Sequence, residues 1–258
     1  ANRALRAWIE YRLNGVGYAA WQFIVTGLPD THSQRIPNLF DADGRGETIW
    51  RSQNDEQSYT APMLVTLNGR RQVLVVSALR AMGLDPEKGE LLWEYPWVTE
   101  YHINATQPIV VGSNQFFISA GYGHGAALVE LTPQGDQFQA KTVWQSNRMK
   151  NKFSSSVLYQ GHVYGLDEAI LACIDVRTGT LKWKGGRYGF GQLLLAGSHL
   201  VVLTEQGDVA LVKADPSSHQ EVARFSAIEG KTWNNPAIAN GVLFVRNTTE
   251  MAAFRIAR

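Results

Sequence analysis

Residues 175–183 read Asp-Val-Arg-Thr-Gly-Thr-Leu-Lys-Trp, a polar turn followed by a short strand that ends in tryptophan. Residues 85–93 are a near copy, Asp-Pro-Glu-Lys-Gly-Glu-Leu-Leu-Trp, and residues 41–50 form a slightly longer version. Looser copies occupy residues 132–144 and 215–225. A turn with strands on both sides that recurs along a chain predicts a repeat of antiparallel strands.

The large aromatic residue that ends each copy marks the period of the repeat. In chain order these residues are Trp50, Trp93, Trp144, Trp183 and Phe225. They are separated by 43, 51, 39 and 42 residues. Short apolar runs between them, such as Met63–Leu67 and Leu200–Leu203, predict strands. Intervals of this length are typical of propeller blades with four strands each.

The two ends of the sequence supply one further blade. The last repeat lacks a final strand, whereas Arg6-Ala-Trp8 resembles a final strand without its blade. Counted around the ends as if the chain were a circle, Trp8 follows Phe225 by 41 residues. We therefore predict an all-β, six-bladed β-propeller that forms a single domain over residues 1–258. Residues 3–10 would close the last blade and leave no open sheet edge.

Composition excludes several classes of function. The 24 Lys and Arg residues nearly balance the 23 Asp and Glu residues, so we expect no nucleic-acid partner, which would need a concentrated basic face. No run approaches the roughly 20 apolar residues of a transmembrane helix. The first 15 residues lack the apolar core of a signal peptide, which fits either a cytosolic protein or a processed exported chain.

Six short segments align at the start of the first strand of each blade. The first strand lines the central channel of a propeller, so we expect these segments to meet at one channel mouth. The candidate ligand-binding residues in them are Tyr18, Tyr59, Thr60, Thr106, Gln107, Phe153, Ser154, Phe190, Gln192, Trp233 and Asn234. Aromatic faces with a few polar groups are typical of ligand pockets. The alternative is that these aromatics fill the channel or pack between blades.

Other conspicuous residues have structural explanations. His124 lies in a glycine-rich turn without ligand partners at metal spacing. Asp41-Ala-Asp43 resembles a calcium loop but coincides with a blade turn. We expect the tryptophans that end the blades to pack between neighbouring blades. Six basic residues could form a patch for an acidic partner or simply solvate the surface: Arg148, Lys150, Lys152, Lys182, Lys184 and Arg187.

The form Asp-x-x-Thr-Gly-x-x-x-Trp, best matched at residues 175–183 and 85–93, resembles the repeat of pyrroloquinoline-quinone-type propellers. From Ser58 onward the chain is similar to bacterial pyrroloquinoline-quinone-like β-propeller repeat proteins. The best-known relative is the outer-membrane assembly lipoprotein, the B subunit of the β-barrel assembly machine. Residues 57–65, 121–128 and 182–192 carry the similarity. The resemblance implies an exported, periplasm-facing scaffold without catalysis; relatives commonly have eight blades.

The favoured function is therefore a non-catalytic, monomeric module that binds a protein, a peptide or a small ligand. We expect contacts at the channel mouth or at three long loops, residues 28–39, 97–104 and 145–152. No catalytic or metal-binding residue is assigned, because no Gly-x-Ser-x-Gly motif is present and no acidic residue lies in the six channel-mouth segments.

Two enzymatic alternatives stay open. Quinone-dependent oxidoreductases of this fold bind pyrroloquinoline quinone with calcium, and many stack the cofactor against a vicinal disulfide. Cys173 is the single cysteine of the chain, which excludes that disulfide, so no cofactor is expected. Hydrolysis or elimination of sugars would require paired carboxylates at the channel mouth.

Overall fold

The structure is a computed structural model that describes residues 39–42 and 48–256. Within those residues every regular element is a β-strand, and strands that follow one another within a sheet are hydrogen-bonded neighbours. This confirms the all-β fold class. The described part of the chain contains no helix that is long and apolar enough to span a membrane.

The strands form six sheets among the described residues. Sheet 1 contains β1 (Leu39–Ala42) and β2 (Thr48–Ser52). Sheet 2 contains β3 (Met63–Leu67), β4 (Arg70–Val76), β5 (Arg80–Leu84) and β6 (Leu91–Pro96). Sheet 3 contains β7 (Ile109–Val111), β8 (Gln115–Ala120), β9 (Gly125–Gln134) and β10 (Gln137–Ser146). Sheet 4 contains β11 (Val157–Tyr159), β12 (His162–Asp167), β13 (Ile170–Asp175) and β14 (Leu181–Arg187). Sheet 5 contains β15 (Gln192–Ala196), β16 (His199–Leu203), β17 (Asp208–Lys213) and β18 (Glu221–Ser226). Sheet 6 contains β19 (Ala237–Ala239), β20 (Val242–Arg246) and β21 (Met251–Arg255).

The chain divides into two compact units. The described residues up to Val98, together with Leu131–Ala140, form the first unit. Thr99–Glu130 and the residues from Lys141 onward form the second unit. The number of blades, the single domain over residues 1–258 and the closing strand at residues 3–10 stay predictions, because residues 1–38 lie outside the described part of the chain.

Consecutive sheets of the second unit pack face to face. Side chains alternate between the two faces of a strand, so neighbouring residues of β12 enter different cores. Val163 packs in the core shared with sheet 3, whereas Tyr164 packs in the core shared with sheet 5. A third core joins sheets 5 and 6 through Val201, Leu203 and Leu243. Each large apolar side chain buried in this way contributes about 1.5–3 kcal/mol.

The repeated Asp-x-x-x-Gly turn has a defined hydrogen-bond pattern. In the turn between β13 and β14, Asp175 Oδ1 accepts hydrogen bonds from the N–H groups of Arg177 (2.9 Å) and Thr178 (3.0 Å). Gly179 has a φ of +69°, a conformation that favours glycine, and its N–H donates to the Asp175 carbonyl. Burial opposes ionisation, but these bonds outweigh it and lower the pKa of Asp175. Residues 85–89 repeat the arrangement.

The tryptophans of the repeat join one sheet to the next. Trp144 Nε1 donates to the Val176 carbonyl at 3.0 Å, and the ring covers Gly179, where an added Cβ would lie 2.7 Å from it. The equivalent donor–acceptor pairs are Trp50 with Pro86 (2.9 Å) and Trp183 with Asp215 (2.8 Å). The structural role predicted for these three tryptophans is confirmed; Trp8 lies outside the described residues.

Candidate functional site

The topology of the sheets gathers several loops of the second unit at one end. In an antiparallel meander, the turn between the second and third strands lies at the same end as the segment that enters the first strand. We call the residues gathered at this end the aromatic face: Tyr101, Tyr122, Lys152, Phe153, Phe190, Glu205, Lys231 and Trp233. They come from the segments that enter β7, β11, β15 and β19 and from the β8–β9 and β16–β17 turns.

Four rings of the aromatic face follow one another in contact. Tyr101 meets Tyr122 edge to face at a centroid distance of 5.3 Å, and Tyr122 meets Phe153 in the same way at 6.5 Å. Phe153 stacks on Trp233 at 5.2 Å, with 21° between the planes. Tyr101 is 59% exposed and Trp233 is 41% exposed. The rings therefore form a surface and not a core.

Two lysines lie over these rings. Lys152 Nζ is 4.7 Å from the Tyr122 centroid, 5.0 Å from that of Phe190 and 5.9 Å from that of Phe153. Lys231 Nζ lies 3.7 Å from the Trp233 centroid. The negative face of an aromatic ring attracts a cation at such distances. The face thus presents two ammonium groups within an apolar surround.

Glu205 connects two of the aromatic residues through its carboxylate. Oε1 accepts a hydrogen bond from Trp233 Nε1 at 3.0 Å, and Oε2 accepts one from the Phe190 N–H at 3.1 Å. The backbone of Glu205 adds two bonds, since its N–H donates to the Tyr188 carbonyl and its carbonyl accepts from the Thr232 N–H. These bonds fix the positions of Phe190 and Trp233 relative to each other.

Buried polar side chains hold the segment that carries Lys152 and Phe153. Ser119 donates to the Met149 carbonyl and accepts from the Asn151 N–H. Asn151 in turn donates to the Leu166 carbonyl and accepts from Ser156, and both Ser119 and Asn151 are buried. A loop fixed by internal bonds presents its exposed side chains with little remaining freedom. Phe153 and Lys152 are therefore preorganised.

Five of the predicted channel-mouth residues fall on or beneath the aromatic face. Phe153, Phe190 and Trp233 belong to it directly. Gln192 is buried and donates to the Phe153 carbonyl at 2.7 Å. Thr106 is buried and donates to the carbonyls of Asn151 and Ser154. Their polar groups support the loops that carry the rings.

The remaining predicted residues are placed differently. The Gln107 N–H donates to Ser155, Ser154 is buried, and Asn234 is half-buried. Tyr59 and Thr60 belong to the first unit, where Tyr59 is 68% exposed and Thr60 donates to the Val76 carbonyl. Tyr18 lies outside the described residues.

The sequence did not single out Tyr101, Tyr122, Glu205 or Lys231 as site residues. They lie in turns or entering segments that differ from one repeat to the next, so no repeated motif marks them. Loops 97–104 and 145–152, predicted as contact surfaces, do contribute Tyr101 and Lys152. Loop 28–39 falls almost entirely outside the described residues.

The predicted basic patch is divided by ion pairs. Lys150 and Lys184 both bind the buried carboxylate of Asp167, at 3.2 and 2.9 Å. Burial alone would raise the pKa of Asp167, but the two lysines outweigh burial and lower it. These lysines are engaged within the protein, whereas Lys152 is directed to the aromatic face.

The other conspicuous polar groups have structural surroundings. Burial lowers the pKa of His124, and burial raises the pKa of Cys173 in β13 to about 12. Tyr188 donates to Glu221 and is 2.8 Å from His219 Nε2 at the edge of sheet 5. In the part of the chain that the structure describes, no group of three His, Cys, Asp or Glu side chains could hold a metal ion.

Comparison with known proteins identifies the class first. Quinohemoprotein alcohol dehydrogenase from Comamonas testosteroni superposes with a TM-score of 0.55 and 11% identity over 80% of this chain and 48% of the enzyme. BamB from Moraxella catarrhalis gives a TM-score of 0.48 with 14% identity over 86% and 79% of the two chains. A search of the curated proteins gives no match. The similarity to the alcohol dehydrogenase supports a β-propeller-like fold.

The family follows from the sequence. The model of the family described as outer membrane protein assembly factor BamB matches residues 38–185, more than half of the chain. The protein belongs to this family of pyrroloquinoline-quinone-like repeat proteins.

Proposed function

We propose that the protein is a non-catalytic scaffold that binds a protein partner through the aromatic face. The observation that carries the proposal is the line of rings from Tyr101 to Trp233, exposed at both ends and half-buried between them, on hydrogen-bonded loops. Exposed aromatic clusters are costly in water and are enriched at the centres of protein interfaces. The family description, an assembly factor of outer-membrane proteins, supports an exported protein that acts outside the cytoplasm.

The proposal includes the finer architecture. We propose a monomer with six blades, in which residues 3–10 form the outer strand of the last blade. The channel mouth would then include Tyr18 and Tyr59 in addition to the aromatic face. A small ligand at this mouth is the second kind of binding partner that fits the same rings.

Site-specific photo-crosslinking in the bacterium that encodes the protein tests partner binding. A photoreactive phenylalanine analogue at Tyr101 or Trp233 should give a discrete crosslinked protein band. The same analogue at Ser198, an exposed residue in the β15–β16 turn at the opposite end of sheet 5, is the matched control. Equal crosslinking at Ser198, or none at the two aromatic positions, would contradict the proposal.

Quinone-dependent oxidation is the second candidate, supported by the similarity to an alcohol dehydrogenase of this fold. Against it stand the single cysteine and, in the described ranges, the lack of a carboxylate cluster able to bind calcium. We therefore propose that the protein uses no cofactor. Calorimetric titration with pyrroloquinoline quinone, with and without calcium, tests this; saturable one-to-one binding would favour the oxidoreductase.

A further inference from the structure

Lys152 differs from the other lysines of its surroundings in its partners. Lys150 and Lys184 share the carboxylate of Asp167, at 3.2 and 2.9 Å. The ammonium group of Lys152 instead lies among three rings, and among the described residues no carboxylate pairs with it. A cation placed over ring faces keeps N–H groups that can point away from the rings. Lys152 can therefore donate to a ligand.

The only carboxylate among the residues of the aromatic face is already engaged. Glu205 accepts hydrogen bonds from both Trp233 and Phe190. Lys231, the second lysine, is exposed and lies over the Trp233 ring, and within the described residues it has no ion-pair partner. The aromatic face therefore has two ammonium groups against one carboxylate, and both oxygens of that carboxylate already accept hydrogen bonds.

The extent of the ring line indicates a chain-like ligand. The line of four rings has three centroid-to-centroid steps, of 5.3, 6.5 and 5.2 Å, so one side chain of a ligand cannot contact all four rings. An extended peptide advances about 3.3 Å per residue, so several of its residues, at most about five, can contact the line. Every second side chain of such a peptide points to the same side.

We infer that the aromatic face binds an extended peptide segment of its partner in which acidic and aromatic side chains occupy every second position, so that both kinds point to the face. This inference rests on the proposed function and specifies the partner's chemistry. The partner's rings pack on Tyr101 and Trp233, and its carboxylates pair with Lys152 and Lys231. Charge complementarity then selects the partner, because the apolar contacts alone do not distinguish acidic from basic segments.

Three acetylated and amidated peptides of the form Gly-X-Gly-Phe-Gly-X-Gly-Phe-Gly, with X as Asp, Asn or Lys, test the inference, because all four variable or aromatic side chains then point to the same side. Binding is followed by the indole N–H NMR signal of Trp233, which the Trp233→Phe variant identifies. We expect the Asp peptide to bind about five- to tenfold more tightly than the Asn peptide, and the Lys peptide most weakly. Added salt should reduce the difference.

Protein variants separate charge from folding. The double variant Lys152→Gln, Lys231→Gln should lose the preference for Asp, whereas Lys152→Arg should keep it. Lys182→Gln, at an exposed lysine of β14, is the matched control and should bind like the unaltered protein. Melting temperatures of all variants verify folding.

Equal affinity for the Asp and Asn peptides, tighter binding of the Lys peptide, or no binding of any peptide would overturn the inference. Photo-crosslinking of the double lysine variant separates this failure from that of the proposed function. Partner crosslinks at Trp233 that persist without the two lysines would leave the scaffold proposal standing and reject the acidic partner. Absence of crosslinks from position 233 in the protein that keeps both lysines would reject the scaffold proposal itself.

Discussion

At the scale of single residues, the glycine of the repeated turn has two roles that substitution can separate. Gly179 has a positive φ and also lies under the Trp144 ring, 2.7 Å from an added Cβ. Gly161, with φ +77°, has no atom within 4 Å of an added Cβ and carries the backbone requirement alone. The glycine is therefore needed both for the turn and for the tryptophan contact.

We expect Gly179→Ala to lower the free energy of unfolding by about 2–4 kcal/mol, since it adds a steric clash to the backbone strain. Gly161→Ala should cost only about 1 kcal/mol, because strain acts there without a clash. Urea unfolding of both variants measures the difference. Equal losses would mean that the Trp144 contact contributes nothing beyond the backbone conformation.

Cys173 gives a second prediction at this scale. Burial raises the pKa of its thiol to about 12, so the reactive thiolate is scarce near neutral pH. We expect a disulfide reagent at pH 8 to leave the folded protein unmodified and to label one thiol per chain after denaturation. Rapid labelling under native conditions would show that β13 opens readily and that the thiol is not held in the core.

At the scale of elements, the sequence predicts the strands but only part of the candidate site. Met63–Leu67 and Leu200–Leu203 are apolar runs bounded by turn residues, and both lie in strands. Phe153 and Trp233 were found because they occupy aligned positions in the repeat. Tyr122 and Glu205 were missed, since their roles depend on hydrogen bonds and ring contacts between loops far apart in sequence. Local pattern carries no information about such contacts.

The ion pairs of Asp167 link sheet 4 to the loop before β11, and they should make stability depend on pH. The folded-state pKa of Asp167 is lowered, so its ionised form stabilises the fold above about pH 4. That contribution is lost as the pH falls through the lowered pKa. We expect Asp167→Asn to cost about 1–3 kcal/mol at pH 7 and progressively less in acid.

Unfolding measured from pH 7 to pH 2 tests this dependence. Glu168→Gln is the matched control, because the Glu168 side chain is 48% exposed and its carboxylate is 3.7 Å from Lys150 Nζ, farther than that of Asp167. It should change the free energy of unfolding by less than about 0.5 kcal/mol. A cost of Asp167→Asn that stays constant over the whole pH range would contradict an electrostatic role.

At the scale of the whole molecule, the repeat predicts more than the described residues test. The Asp-x-x-x-Gly turn and the tryptophan contacts recur because each repeat must bury both faces against neighbours. Trp93 is buried, and its Nε1 donates to Gln72 of its own sheet. Blade number and closure depend on residues far apart in sequence, which a local motif cannot fix.

Closure of the last blade is therefore the decisive prediction at this scale. In sheet 6, β21 is a terminal strand among the described residues, and Met251 is 72% exposed. If residues 3–10 pair with β21, cysteines at Ala7 and Ala253 in a Cys173→Ser background should form a disulfide under mild oxidation and raise the melting temperature. The pair Ala7→Cys, Ala223→Cys, with its second cysteine on exposed β18, is the control. Cysteines at position 6 or 8, each combined with Ala253→Cys, test for a shift of the register by one residue, which would turn the side chain of residue 7 to the other face of the sheet. If none of these positions crosslinks to β21 while the protein remains folded, the N-terminal segment does not close the blade.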